Sequence, residues 1–117
     1  MDPRSERGSG GEAAAAAWYA ARDFRILARN WRCRVGEIDI VAVRGALLVI
    51  CEVKTRRSLA FGGGFEAVGW EKQRKLRQLA ELFLAGCPVS PASVRFDVAS
   101  VESGKDGWTV EVFEDAF

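Results

Sequence analysis

Asp39, Glu52 and Lys54 are the residues of this sequence whose types and spacing could do chemistry together. They lie on two runs rich in Val and Ile, residues 37–44 and 47–54, separated only by Gly45 and Ala46. This is the pattern of two strands joined by a two-residue turn, and glycine first suits a type II′ hairpin. If Arg44 and Leu47 flank the turn, Val41 faces Ile50, Asp39 faces Glu52 and Glu37 faces Lys54. Period-two alternation puts Glu52 and Lys54 on one face and Ile38, Ile40, Val49, Cys51 and Val53 on the other. Both faces are apolar near the turn, so the hairpin is expected to be central and covered on both sides, with its charges at the open end. Two carboxylates facing each other across a hairpin repel, and burial would raise their pKa values at a cost in stability. Such a pair needs compensation, from Lys54 or from a divalent cation. Hard oxygen donors suit Mg²⁺ or Mn²⁺ rather than zinc, and the Val53 backbone carbonyl could add a third ligand.

Composition narrows the remaining chemistry. The chain has 117 residues, 49% hydrophobic and 28% charged, enough for one packed domain. It contains no histidine. That excludes Ser-His-Asp and Cys-His catalysis, His-ligated zinc and any imidazole acid or base. Cys33, Cys51 and Cys87 are an odd, widely spaced set with no CxxC pair, which argues against a disulfide framework. Cys51 lies in an apolar run and reads as a buried small hydrophobe. No apolar stretch reaches about 18 residues, so no membrane span is expected. The Ala-rich segment follows acidic and polar residues rather than a basic region, unlike a signal peptide. The expected setting is the cytoplasm.

The elements that must position the hairpin follow along the chain. Residues 1–9 read as a polar, disordered tail, and residues 10–117 as a single domain. An Ala-rich helix is expected over residues 12–22, with Ala13, Ala17 and Ala20 on one face and Ala16 beside them. Phe24, Ile26 and Ala28 then alternate like a strand. Residues 55–69 form a loop holding Gly62, Gly63 and Gly64. Residues 70–85 make an amphipathic helix with Leu76, Leu79, Ala80, Phe83 and Leu84 at the 3.6 period, ended by Gly86 and Pro88. Val94, Phe96 and Val98 alternate, a turn spans residues 103–107, and residues 108–113 form a last strand. The expected fold is α/β, in the order αβββαββ, with a mixed central sheet flanked by helices.

Asp-(x12)-Glu-x-Lys on a hairpin is the core of the PD-(D/E)xK nuclease signature. The wider wording extends the match. VGEIDIVAVRGALLVICEVKT (residues 35–55), RRSLAFGG, KQRKLRQLAELFLA, VRFDV and the terminal EDAF together resemble the YraN family of small bacterial proteins, over nearly the whole chain from Gly10. That family is similar to the PD-(D/E)xK nucleases, near the archaeal Holliday-junction resolvases. The resemblance implies a restriction-endonuclease-like αβββαβ core and Mg²⁺- or Mn²⁺-dependent cleavage of branched or structured DNA. It makes Asp39 and Glu52 metal ligands, with Glu12 completing the acidic cluster, and Lys54 the group that activates water and stabilises developing charge. Gln73 falls where related nucleases carry a polar residue on the second helix. A homodimer is implied by resolvase relatives, whose junction substrates present two symmetric cuts. Two positions depart from the pattern. Ile38 stands in place of the proline, and Gly69 precedes the second helix where Ser or Thr would cap it.

Each residue also has a plainer reading. Glu52 and Lys54 could be an ion pair at a strand end, and Glu12 a helix-start acid favoured by the dipole. Gln73 could be a solvated helix residue, and Arg56 and Arg57 either phosphate contacts or loop residues kept for solubility. Asp97 is expected to bond a neighbouring strand or helix. Trp18, Tyr19, Trp31, Phe83 and Trp108 read as core or interface rather than base-stacking groups. The net charge of +1 conceals an asymmetry. Residues 22–77 carry 13 basic and 6 acidic side chains, a net of +7, whereas residues 78–117 carry a net of −5. Arg56, Arg57, Lys72, Gln73, Arg74 and Lys75 are the expected nucleic-acid contacts around a small acidic centre. The alternative is a nucleic-acid-binding or scaffold module that keeps the fold without catalysis.

Overall fold

The computed structural model describes residues 3–56, 68–87 and 89–117, with side chains from Gly10 onward. Helix α1 (Pro3–Ala20) leads into strands β1 (Arg25–Arg32), β2 (Glu37–Arg44) and β3 (Leu47–Arg56), helix α2 (Trp70–Ala85), and strands β4 (Ser93–Gly104) and β5 (Gly107–Phe113). The five strands form one sheet in the order β1-β2-β3-β4-β5. All neighbours are antiparallel except β3 and β4, whose parallel pairing is made possible by the α2 crossover. The expected mixed sheet with flanking helices is therefore present.

The β2–β3 hairpin takes the anticipated register from Arg44 opposite Leu47 to Ile40 opposite Cys51, and the expected facing pairs Asp39–Glu52 and Glu37–Lys54 lie beyond its regular ladder. Gly45 adopts φ +59°, the left-handed value that the first position of a type II′ turn requires. One face of the sheet buries Ile40, Ala42, Val49, Cys51, Ala99 and Val101 against Ala15, Ala16 and Tyr19 of α1. The opposite face buries Val41, Leu48, Ile50, Phe96 and Val98 against Leu76, Leu79 and Ala80 of α2. The hairpin is thus covered on both sides, and Cys51 is fully buried as expected.

Helix α1 departs from expectation in its start. It begins at Pro3 rather than at Glu12, so the segment taken for a disordered tail is helical from Pro3. Proline is well placed at a first helical position, where no N–H partner is needed. Gly10 and Gly11 allow close approach of the helix to the sheet. A Cβ on Gly10 would lie 2.9 Å from the Trp108 ring, and one on Gly11 would lie 2.7 Å from Val101 Cγ2. Ala13, Ala17 and Ala20 share one face, as expected, and it faces solvent, while the buried stripe is Glu12, Ala15, Ala16 and Tyr19. A run of alanines has no polarity to orient it, and Tyr19 decides the rotation.

Tyr19 does so through Asp97, which is fully buried on β4. The Tyr19 hydroxyl donates to Asp97 Oδ2 at 2.6 Å. Arg95 donates to both carboxylate oxygens, at 2.9 and 3.0 Å, and the Asp115 N–H donates to Oδ1 at 2.9 Å. Burial, reinforced by the adjacent Cys51 and Asp97, pushes the Tyr19 phenol far above its ordinary range, so it stays a donor. One carboxylate thereby ties α1, β4 and the C-terminal segment together.

Two stability measurements check this packing. Asp97→Ala strands Arg95 and Tyr19 without their acceptor. A loss of about 3 kcal/mol is expected, seen as a lower denaturant midpoint at unchanged m. Gly11→Ala adds a methyl group against Val101. Overpacking outweighs the helix-propensity gain, for a net loss of about 1 kcal/mol and a Tm lower by roughly 4 °C. A raised Tm would show that α1 can retreat from the sheet.

Candidate active site

The regular β2–β3 pairing runs from the turn to Ile40 and Cys51. Beyond it, Asp39 intervenes. Its Oδ2 accepts the Val53 backbone N–H at 2.7 Å, so a side chain takes a donor of β3. The alternation of β2 is disturbed at the same place. Ile38 packs in the α2-side cluster while Ile40 packs on the α1 side. This corrects the expectation that Ile38 and Ile40 share a face. A carboxylate inserted toward the partner strand removes the regular ladder that enforces alternation. Burial, then the charge of Glu52, raise the Asp39 carboxyl to about 7, against the lowering effect of the Val53 N–H. Glu12 and Glu37 push it in the same direction.

Glu52 is buried on the α2 face of β3, and its Oε1 lies 2.6 Å from Lys72 Nζ. Lys72 was expected as a surface phosphate contact. It instead reaches down from α2 onto the acidic centre. The hydrogen bond to Glu52 raises its pKa, followed by the fields of Glu52, Asp39 and Glu37, against a desolvation cost. No signal in the periodicity marked Lys72, because only the tertiary packing of α2 over β3 brings it there. Lys54 is partly buried on β3 beside Ser100 of β4, two residues beyond Glu52. Among the described residues it makes no ion pair.

Glu12 is buried on α1, and its Oε1 accepts from Asn30 Nδ2 at 2.8 Å and Arg29 Nε at 3.3 Å. Burial raises its pKa, the Arg29 charge opposing. Asn30 adopts φ +52°, a left-handed value that asparagine tolerates. Glu37 pairs with Arg32 at 3.0 Å on the exposed side. The hairpin's open end therefore gathers acids from three elements, each in the field of Asp39. Among the described residues, no three acidic or thiol groups converge into a ready-made cation cage. Mg²⁺ is commonly held by one or two carboxylates with water completing its shell. Asp39 and Glu52, with the Val53 carbonyl, are hard oxygen donors that could serve in that way, whereas Glu12 is engaged by Arg29 and Asn30.

The expected basic residues are distributed as follows. Arg56 ends β3 opposite Glu102 of β4, and Arg57 lies outside the described residues, as does the glycine run 62–64. Gln73 donates from Nε2 to the Val68 carbonyl at 2.8 Å, closing the start of α2, where Gly69 offers no side-chain cap. Arg74 lies over the Trp70 ring at 5.0 Å, and Lys75 packs against Gly36 just before Glu37. Trp18 and Trp108 pack on the α1-side core, and Trp31 and Phe83 meet edge-to-face at 5.4 Å on the α2 side.

Residues 11–101 match the model of a family described as "Uncharacterised protein family UPF0102". A UPF0102 protein of Symbiobacterium thermophilum is 51% identical over 100 residues, covering 86% of this chain and 85% of the relative. One from a Parafrankia species is 52% identical over 97 residues, covering 83% and 82%. One from Acidothermus cellulolyticus is 45% identical over 125 residues, covering 97% and 95%. No helix among the described residues is long and apolar enough to cross a membrane.

The raised Asp39 carboxyl sets a pH dependence for the metal-free protein. Its folded value lies above its unfolded one, so the neutral carboxyl's contribution is full below about pH 4 and is lost as pH rises through about 7. Asp39→Asn removes that titration. In chelator, the Tm advantage of Asp39→Asn over the parent should widen between about pH 4 and about pH 8. A constant gap would show that Asp39 ionises alike in the folded and unfolded states.

Proposed function

This chain belongs to the UPF0102 family, and we propose that it is a metal-dependent deoxyribonuclease hydrolysing phosphodiester bonds in branched or structured DNA. The observation that carries this reading is the partly buried Asp39 carboxyl lying in the field of the buried Glu52 at the open end of a covered hairpin. Burial and the charge of Glu52 disfavour the Asp39 carboxylate there, a cost that a bound cation would relieve. Asp39, Glu52 and the Val53 carbonyl would hold Mg²⁺ or Mn²⁺. When bound, that ion supplies Lewis-acid polarisation of the phosphoryl oxygen and a lowered water pKa.

The chain's own residues supply the rest. The Val53 N–H holds Asp39 in place and ties the ligand to β3. Lys54, two residues beyond Glu52, places an ammonium beside the centre to orient the attacking water and offset developing negative charge. Lys72 holds the Glu52 carboxylate through its 2.6 Å contact. The net +7 of residues 22–77 draws the polyanionic substrate toward this acidic centre. None of these steps needs histidine. The unpaired cysteines are compatible with a cytoplasmic setting, and a homodimer would suit a symmetric four-way substrate.

One observation favours a second reading, a nucleic-acid-binding or scaffold module without catalysis. Lys72 already neutralises Glu52 without any added ion. A nuclease assay across duplex, flap and four-way DNA with Mg²⁺ or Mn²⁺ separates the two. Under the nuclease reading the parent cleaves, and Asp39→Ala, Glu52→Ala and Lys54→Ala each lower the rate at least about 100-fold while still folding. Unchanged rates in these variants would remove the site assignment. A parent that binds DNA in chelator, cleaves nothing and gains no Tm from either metal would establish the binding module.

A further inference from the structure

Trp70 is the first residue of α2 and 62% exposed, a conspicuous cost for the largest apolar side chain. The other large hydrophobic exposed among the described residues, Leu82, sits near the far end of α2. Leu82 lines a groove with Leu27, Trp31 and Phe83, so its surroundings are apolar. Those of Trp70 are not. Arg74, one turn along, holds its guanidinium 5.0 Å from the ring centroid. An open groove of about 560 Å³ is lined by Trp70, Glu71, Arg74, Lys75 and Gln78. Of the four cations within residues 72–77, Arg74 and Lys75 line this groove, while Lys72 is held by Glu52 and Arg77 lies over Phe96.

We infer that Trp70 is a stacking platform for an unpaired base of a DNA strand that crosses the start of α2 beside the acidic centre. An exposed ring set among cations is how single strands are held: the cations take the phosphates and the ring takes a base face. A protein partner would be expected to seek an apolar surround, which the Leu82 groove has and the Trp70 groove lacks. The base must be unpaired, because in a duplex both of its faces are already stacked.

The start of α2 touches the acidic centre at two points. Lys72, two residues from Trp70 and about 200° around the helix axis, contacts Glu52. Lys75, on the groove wall, packs against Gly36, the neighbour of Glu37. A strand that leaves a phosphate at Asp39 and Glu52 and passes around the start of α2 would present a following base to Trp70. The inference rests on reading that centre as one that handles DNA. It narrows the substrate to DNA carrying unpaired nucleotides near the scissile bond: flaps, frayed ends and open junction centres.

The test uses the full chain in chelator, so that catalysis does not enter. Fluorescence anisotropy compares a labelled single-stranded oligonucleotide with a blunt duplex of the same sequence. Trp70→Ala should weaken single-strand binding about tenfold, with duplex binding within about twofold of the parent. Trp70→Phe should restore most of the loss. Equal losses on both DNAs, no loss on either, or no DNA binding by the parent would each overturn the inference. So would a loss of self-association in place of DNA affinity, which would assign the ring to a contact between copies of the chain. Cleavage by the parent with no Trp70-dependent binding would sink only the platform. Trp70-dependent binding without cleavage would sink only the nuclease reading.

Discussion

The unfavourable proximity of Asp39 and Glu52 is the constraint around which the rest of the molecule is arranged. Their mutual repulsion is carried on a hairpin whose two faces are otherwise apolar and covered, so bulk water cannot screen it well. The chain answers in three ways. Asp39 takes the Val53 N–H, converting a strand donor into a stabiliser of its carboxylate. Lys72 comes from α2 to sit on Glu52. The regular β2–β3 pairing gives way beyond Ile40, and Ile38 changes sides. A fold selected for stability alone would place two small apolar residues at these positions. Sites that break a local rule and recruit compensation from several elements are where function is sought.

Asp97 shows what a carboxylate placed for structure looks like in the same sheet. It is more deeply buried than Asp39, yet it receives bonds from Tyr19, Arg95 and the Asp115 N–H. Its two oxygens are saturated by groups of the protein, and nothing remains for a ligand. Asp39 has one backbone donor and faces other acids, and burial together with the charge of Glu52 raises its pKa against that donor. The α1 face thus holds a satisfied acid that locks helix to sheet. At the hairpin's open end lies an under-compensated acid beside a basic surface. Burial alone would have ranked the two in the wrong order; counting donors ranks them correctly.

Much of this was legible in the sequence because the signals were local. The hairpin register followed from Gly45-Ala46 and the Val/Ile alternation, and α2 from the 3.6-residue period of its leucines. What was not legible depended on contacts between distant segments. An alanine run gives no amphipathic stripe, so the rotation of α1 waits on Tyr19 finding Asp97, 78 residues away in sequence. Nothing local marked Gly10 and Gly11 for close approach to Trp108 and Val101, since glycine for flexibility and glycine for close approach are spelled alike. The basic run of α2 looked uniform, yet one turn of helix sends Lys72 inward to Glu52 while Arg74 covers Trp70 at the surface. Sequence position assigned the centre's cation to Lys54; the fold supplies Lys72 as well.

The start of α2 consequently does two things that a single element can do only if it is firmly placed. Leu76, Leu79 and Ala80 fix the helix to the sheet, and Gln73 ties its first turn to the Val68 carbonyl. With the axis held, the 100° step between successive residues separates the roles by angle rather than by distance. Lys72 points to the acids, and Trp70 and Arg74 remain outside. Any shift of α2 that exposes Trp70 further, or withdraws it, must also alter the contact between Lys72 and Glu52. The charge balance of the acidic centre and the presentation of the basic, aromatic groove are therefore coupled through one rigid turn of helix.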